Sequence, residues 1–555
     1  MRHAFDMPFG AAPRGEGAFH FRFWAPGEAR ITLETESVTA PMQRHANGWH
    51  VGTVPARAGE TYRYRLSDGV LVPDPASRFN PEDVHGPSEL IDPRGYEWQQ
   101  AGWRGRPWAE AVVYEMHVGA FTPEGTFAAA RGRLAGLAEL GVTAIELMPV
   151  ADFAGARNWG YDGVLPFAPD ASYGRPEDLK ALVDEAHRLG LMVLLDVVYN
   201  HFGPDGNYLH AYCPQFFNPE RATPWGDAIN FDGPESFTVR AFYRSNALYW
   251  LEEYQLDGLR LDAVHALHDD SRTHIVDEIA AAVRAGPGRR RHVHLVLENE
   301  RNDARFPSKD RLRQWNDPLH HALHVRLTGE SDGYYAPFAA APLERLGESL
   351  AAPAGLPPGS FVAFLQNHDQ VGNRAHGERL HALADAGRER AALACVLLSP
   401  QVPMLFMGEE WAASTPFLYF CDFGGELAKA VREGRRTEFA RFAAFADAKA
   451  RARIPDPNDP ATFRRSKLAW AERSRGAHAE RLALVRELLA IRRTQLVPRL
   501  AGARRGQAEI DGAALRVRWR LGDGALLTLA LDDGVSAPGE MLYRAEGVQV
   551  TLQAP

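Results

Sequence analysis

Four carboxylates, one arginine and two histidines stand at the ends of short apolar runs in this 555-residue chain. Leu191 to Leu195 leads into Asp196-Val197-Val198-Tyr199-Asn200-His201, and Gly258-Leu259 leads into Arg260-Leu261-Asp262. Val293 to Leu297 ends in Glu298, and Phe361 to Leu365 ends in Gln366-Asn367-His368-Asp369. A carboxylate beside a buried strand is costly to desolvate unless it is paired or functional, so its recurrence points to a site. The sequence has no phosphate-cradling G-x-x-x-x-G-K-[ST] loop and no G-x-S-x-G elbow, which removes the usual supports of phosphoryl and acyl transfer. Two carboxylates on neighbouring strands suit glycoside chemistry, in which an ionised acid attacks the anomeric carbon and a protonated one donates to the leaving oxygen. Strands about 4.8 Å apart would bring Asp262 and Glu298 near the roughly 5 to 5.5 Å separation of retaining enzymes. Asp196 comes early in its segment and is better placed to bond backbone and Arg260 than substrate. Arg260 and Asp262 fall on one strand face, where a purely structural ion pair is the alternative reading.

Such a site needs a parallel barrel to assemble it. From Val112 onward, helical spacing of Leu134, Leu137 and Leu140 ends at Gly141 and is followed by the apolar run Val142 to Met148. Leu179, Leu182, Val183 and Ala186 repeat the pattern before Gly190 and Leu191 to Val198. Val112 to Met116, Gly258 to Leu261, Val293 to Leu297, Phe361 to Leu365 and Val402 to Met407 complete seven strands, separated by helical windows such as Phe237 to Tyr254 and Arg388 to Leu398. An eighth strand is expected near His324 to Thr328, giving an α/β chain with a (β/α)8 TIM barrel, whose chemistry belongs at the carboxyl ends of its strands. Before it, Phe19 to Phe23, Ile31 to Glu34 and Tyr62 to Leu66 alternate as in antiparallel strands, and Val72 to Gly105 reads as a linker. The expected division is an N-terminal β-sandwich over 1–100, the barrel over 101–490 and a small C-terminal β domain over 491–555. After about residue 410 the chain reads as irregular and charged, before a helix from Ala477 to Arg493 and alternation in Leu515 to Trp519 and Leu526 to Leu531.

Composition excludes several other classes. Hydrophobic residues at 45% and charged residues at 24% are ordinary for a folded chain, which excludes a disordered or collagen-like protein. A net charge of -9 argues against a nucleic-acid partner, because phosphate backbones call for a cationic field. Arg289 to Arg291, Arg435-Arg436 and Arg504-Arg505 are too short for a basic stripe and are expected on the solvated surface. Cys213, Cys395 and Cys421 lie far apart and read as buried thiols. No window approaches 18 uninterrupted apolar residues and the first residues lack a signal-peptide pattern, so a cytoplasmic protein without a membrane partner is expected.

The four segments around Asp196, Asp262, Glu298 and Asp369 resemble, in order and spacing, the signature regions of the α-amylase superfamily, glycoside hydrolase family 13. Phe21 to Pro26 is similar to the start of the β-sandwich in its branching and debranching members, and Tyr114 to Gly119 and Asn158 to Val164 to its first strand and a following loop. Within the superfamily, Asp74 to Phe79, Val84 to Ser88, Trp225 to Phe231, Asp369 to Arg374 and Phe406 to Trp411 resemble the trehalose-releasing branch.

The resemblance implies hydrolysis of the α-1,4 bond adjoining a terminal trehalose in maltooligosyl trehalose or a related α-glucan. It also implies functional coupling to the synthase that makes that substrate. Carried across by motif, Asp262 is the nucleophile, Glu298 the acid and then base, and Asp369 the carboxylate holding sugar hydroxyls. Arg260 keeps Asp262 ionised, His201 and His368 bond ring hydroxyls, Tyr161 stacks beneath that ring, and Asp162 bonds nearby hydroxyls or braces its loop. Trp225, Asp227, His265, Asn299, Glu300 and Arg301 are the expected trehalose-side residues. Asn200 alone does not define a calcium site, and no metal or cofactor is expected. A shorter, irregular tail after Leu531 departs from the family pattern. A glycogen branching or debranching enzyme and a non-catalytic glycan-binding scaffold are the competing readings.

Overall fold

The computed structural model describes every residue except 1–2, 16, 224, 301–304, 307–311, 443–444, 446, 532–537 and 546. Eight strands close into a parallel barrel: β1 Val113–Met116, β2 Ala144–Leu147, β3 Met192–Val197, β4 Gly258–Leu261, β5 His294–Leu297, β6 Arg313–Trp315, β7 Phe361–Ala363 and β8 Val402–Phe406. Every other side chain points inward, as a period of two demands. The lower interior is an apolar plug of Val113, Ala144, Met192, Leu194, Val296, Val362 and Met404. One step further along the same strands the inward positions turn polar: Glu115 pairs in register with Glu146, and Asp196 with Arg260. The barrel thus carries a charged layer on a hydrophobic floor, open at the carboxyl ends of its strands.

The eighth strand is not at His324 to Thr328. Those residues end the helix Asp317–Thr328, which starts with Pro318 in its first turn, buries Leu319, Ala322 and Leu323, and stops at Gly329 with φ 75°. The strand is the three-residue Arg313–Trp315, joined to β5 and β7. A run that short, with one arginine and one glutamine, carries no apolar signature.

Two antiparallel sheets precede the barrel. Strands Gly10–Pro13, Ala18–Trp24, Gln43–Arg44 and Trp49–Pro55 form one, and Thr32–Thr35, Thr39–Pro41, Thr61–Arg65, Leu71–Val72 and Ser88–Glu89 the other. Phe23 stacks on Tyr64 at 4.1 Å between ring centres and Phe21 meets Tyr62 edge-on, which packs one sheet on the other. Arg78 locks this unit to the barrel through a buried bidentate pair with Glu253, 3.0 Å on each arm.

The stretch after residue 410 is not irregular: it includes helices Gly425–Phe439, Ala448–Ala452 and Pro460–Ser466. The tail after Leu531 is also ordered where described. Glu540–Ala545 and Val548–Gln553 complete a five-stranded antiparallel sheet with Gln507–Asp511, Ala514–Arg520 and Leu526–Leu531. Two of the short basic clusters are partly internal. Arg291 is buried beside Asp257, and Arg435 donates to the carbonyls of Gly372 and Arg374 while lying over Tyr419. No helix among the described residues is long and apolar enough to cross a membrane.

Candidate active site

Arg260 organises the mouth of the barrel. It is fully buried, donates from Nη1 to Asp196 at 2.6 Å and Asp262 at 2.8 Å, and places Nη2 3.3 Å from Glu298. Its guanidinium lies 4.2 Å from the centre of the Trp315 ring. A planar fork suits this task because it meets carboxylates on two sides while its face packs on an aromatic ring. Asp196 is therefore a bracing carboxylate: its other partner is the Tyr161 hydroxyl, which donates at 2.6 Å.

Asp262 and Glu298 follow neighbouring strands whose last paired residues are Leu261 and Leu297, so the two carboxyls emerge side by side. Between them the chain turns sharply at Ala263, with φ 39°. That left-handed backbone costs a residue with a Cβ roughly 1 to 2 kcal/mol. It aims the Ala263 amide at Glu298, to which it donates at 2.6 Å. Burial pushes the Asp262 carboxyl up to about 6, against Arg260 and with help from Asp196 and Asp369. Burial pushes Glu298 further, to about 7, again opposed by Arg260 and reinforced by Asp262 and Asp369. Glu298 is thus raised further than Asp262, so Asp262 ionises first and Glu298 holds its proton to higher pH, which is the division of labour a nucleophile and an acid require.

Asp369 lies in the first turn of the helix His368–Gly372, whose preceding residue Asn367 caps the amides of Asp369 and Gln370. Its side chain is 38% exposed, so it is open to a ligand, and Asn373 donates to it at 3.2 Å. His368 is buried, with Nδ1 2.6 Å from Glu115, and its ring stacks on Tyr161 at 5.1 Å. His201 is held through both nitrogens, by the Asn200 side chain at 3.1 Å and the Tyr161 carbonyl at 2.9 Å. Burial lowers its imidazole to about 4, so it is neutral.

Trp225 stacks on His201 at 4.6 Å and leaves half its surface in solvent. Asp227 is exposed on the same hairpin, Phe217–Thr223 with Gly226–Ile229. His265, past the end of β4, faces Glu300, past the end of β5, at 3.7 Å. Asn299 is buried and donates to Gln314 at 3.4 Å, which places it behind the rim. Asp162 accepts from Asn158 at 2.7 Å and braces the loop that carries Tyr161. Arg301 lies outside the described residues.

Sequence reasoning missed four groups. Glu115 and Glu146 each stand inside an apolar strand, an anomaly that could have found them. Trp315 and Asp317 were missed with their strand. Burial, then Glu298 and Asp369, raise the Asp317 carboxyl to about 7. His320 and His324, four apart on a helix, are committed to the Leu365 carbonyl with the Tyr335 hydroxyl, and to Glu330, respectively.

The chain is similar to several known proteins. The model of the alpha amylase catalytic domain matches residues 95–221. The malto-oligosyltrehalose trehalohydrolase of Deinococcus radiodurans is 41% identical across 97% of this chain and 93% of its own, and that of Rhizobium sp. (strain M-11) is 41% identical across 98% of both. A crystal structure of a Salmonella typhimurium protein described as an alpha amylase superposes with a TM-score of 0.92 at 43% identity, covering 99% of this chain and all of that one. The chain belongs to the malto-oligosyltrehalose trehalohydrolase family, within the enzymes built on the alpha-amylase catalytic domain.

Proposed function

We infer that this protein is a glycoside hydrolase that cleaves the α-1,4 bond adjoining the terminal trehalose of maltooligosyl trehalose, releasing trehalose and a shortened maltooligosaccharide. The likeness to trehalohydrolases over nearly the whole chain supports the substrate. The observation that carries the chemistry is the single guanidinium shared by Asp262 and Glu298.

In this reading Asp262, ionised and aligned by Arg260, attacks the anomeric carbon. Glu298 gives its proton to the bridging oxygen as trehalose leaves. Water then enters, Glu298 takes its proton, and the Asp262 ester opens with net retention. Asp369 accepts hydroxyls of the cleaved sugar, on which the developing positive charge is offset by the three nearby carboxylates. Tyr161 offers a ring face beneath that sugar, held by His368 and Asp196. Trp225 and Asp227 on their hairpin, together with His265 and Glu300, flank the position of the departing trehalose, with Asn299 supporting them, and Arg301 is assigned to the same group by its motif alone. His201 acts through Trp225 and the Tyr161 carbonyl. The protein works in the cytoplasm, coupled functionally to the synthase that forms the trehalose end.

Product stereochemistry tests the reading. Proton NMR of the first turnovers should show the new reducing end in the α configuration, then mutarotating. Initial release of the β anomer would replace the double displacement by direct attack of water.

A further inference from the structure

Glu115 belongs to none of the four signature segments, yet it is the acid bonded directly to His368. Both side chains are 1% exposed. One carboxylate oxygen lies 2.6 Å from His368 Nδ1 and the other accepts the His368 backbone amide at 3.0 Å. Both oxygens therefore hold one residue.

Hydrogen-bond accounting fixes the protons. A carboxylate only accepts, so Nδ1 must donate. The other ring nitrogen, Nε2, lies 2.8 Å from the Tyr161 hydroxyl. That hydroxyl has one proton, and its shorter contact, 2.6 Å, is to the Asp196 oxygen that also accepts from Arg260. With its proton given to Asp196, the phenol oxygen can only accept from Nε2. Both nitrogens donate, so the ring is an imidazolium.

We propose that Glu115 is a positioning residue that holds His368 as a buried cation, and that this cation fixes Asp369 and the Tyr161 hydroxyl against the sugar being cleaved. His368 Nε2 lies 3.4 Å from Asp369, close enough for its charge to hold that carboxylate in place. The groups around the ring divide clearly. Burial and Arg260 from β4 oppose its charge, while Asp369 beside it and Glu115 from β1 support it, and the balance raises His368 to about 9. His117 after β1 is lowered by burial to about 4 and so adds no charge at neutral pH. Asp196 from β3 adds to the support and is itself bound to Arg260. Burial, then Glu115 and Asp196, push the Glu146 carboxyl on β2 well above its usual range, which works against its acting as a countercharge. Trp159 meets the ring edge-on and Trp315 at a tilt, and neither adds a formal charge.

The proposal deepens the hydrolytic reading and rests on it for the role of Asp369, but its first test does not involve substrate. In the full chain labelled with 15N-histidine, the His368 signals are assigned by their loss in His368→Asn. Both ring nitrogens should report as protonated at pH 7, and remain so to about pH 8. In Glu115→Gln the shape stays but the charge goes, and the ring should titrate about one to two units lower. Its kcat on maltotriosyl trehalose should fall about tenfold or more with KM moving less than about threefold, and Glu115→Asp should recover most of both effects. A bare nitrogen on His368 in the unaltered protein at pH 7 would overturn the proposal, as would a Glu115→Gln protein whose His368 titrates as before. Should Glu115→Gln not fold, the spectrum of the unaltered protein and the titration of Glu115→Asp decide. Failure to release trehalose, with the imidazolium present, would count against the hydrolytic reading instead.

Discussion

Replacing Arg260 by methionine removes the one cation among the described residues that touches Asp196, Asp262 and Glu298 together. Asp262 already sits near 6 because burial outweighs Arg260. At pH 6.5 a carboxyl of that pKa is about three-quarters ionised, and loss of a cation at contact distance raises it by roughly one to three units. The ionised fraction then drops to between about one quarter and about 0.3%, a fall of roughly 3- to 250-fold in attack rate before any loss of alignment. Stability should fall too, by up to about 3 to 5 kcal/mol, because Asp196 is left buried without its partner. The assay is the pH dependence of kcat/KM on maltotriosyl trehalose from pH 4.5 to 9, with thermal melting alongside. In Arg260→Met the acid limb should move up by about one to three units. Arg260→Lys, which keeps the charge but cannot reach both carboxyls at once, should fall between. An acid limb that stays near 6 in Arg260→Met, with kcat/KM within about threefold of the parent, would refute the reasoning.

Other substitutions probe separate parts of the site. Glu298→Gln should lower kcat by about 10²- to 10⁴-fold, while equilibrium dialysis still detects sugar binding. The same change should raise the melting temperature at pH 8 but not at pH 4. Glu298 has a raised folded pKa, so between the unfolded value of about 4.3 and the folded value near 7 the native state holds more protons and loses stability as pH rises. Trp225→Ala, which removes a half-exposed ring stacked on His201, should raise KM for the trehalose-capped substrate about 2- to 10-fold; an unchanged KM would remove Trp225 from the binding surface. Ala263→Gly should stabilise the protein by up to about 1 kcal/mol in urea unfolding, because glycine accepts the 39° φ without strain, and no gain would mean that the turn is relaxed by its surroundings.

The sequence made the site legible where a charge ended an apolar run. Asp262, Glu298 and Asp369 each follow a strand of buried residues, and the barrel register brings those strand ends together. It failed where the signal was shorter than the window. The strand Arg313–Trp315 has three residues, whereas His324 to Thr328 looked apolar only because a helix buries several neighbouring turns. Asp317 was lost with that strand. Glu115 was hidden differently: it lies within the run Val112 to Met116, where the apolar neighbours defined the strand and masked the acid. Its role depends on a partner 253 positions away. The tail after Leu531 was misjudged because the edge strand Glu540–Ala545 shows no period-two alternation, its pairing being interrupted by a register shift between Met541 and Tyr543.

The most direct test of the central claim is a side-by-side digestion of maltotriosyl trehalose and maltopentaose at matched concentrations, with free trehalose and new reducing ends both quantified. The account predicts strong preference for the trehalose-capped substrate, with one trehalose released for each new reducing end. Equal cleavage of the two, or chain transfer without net hydrolysis, would contradict it and leave an amylase or branching enzyme on the same barrel.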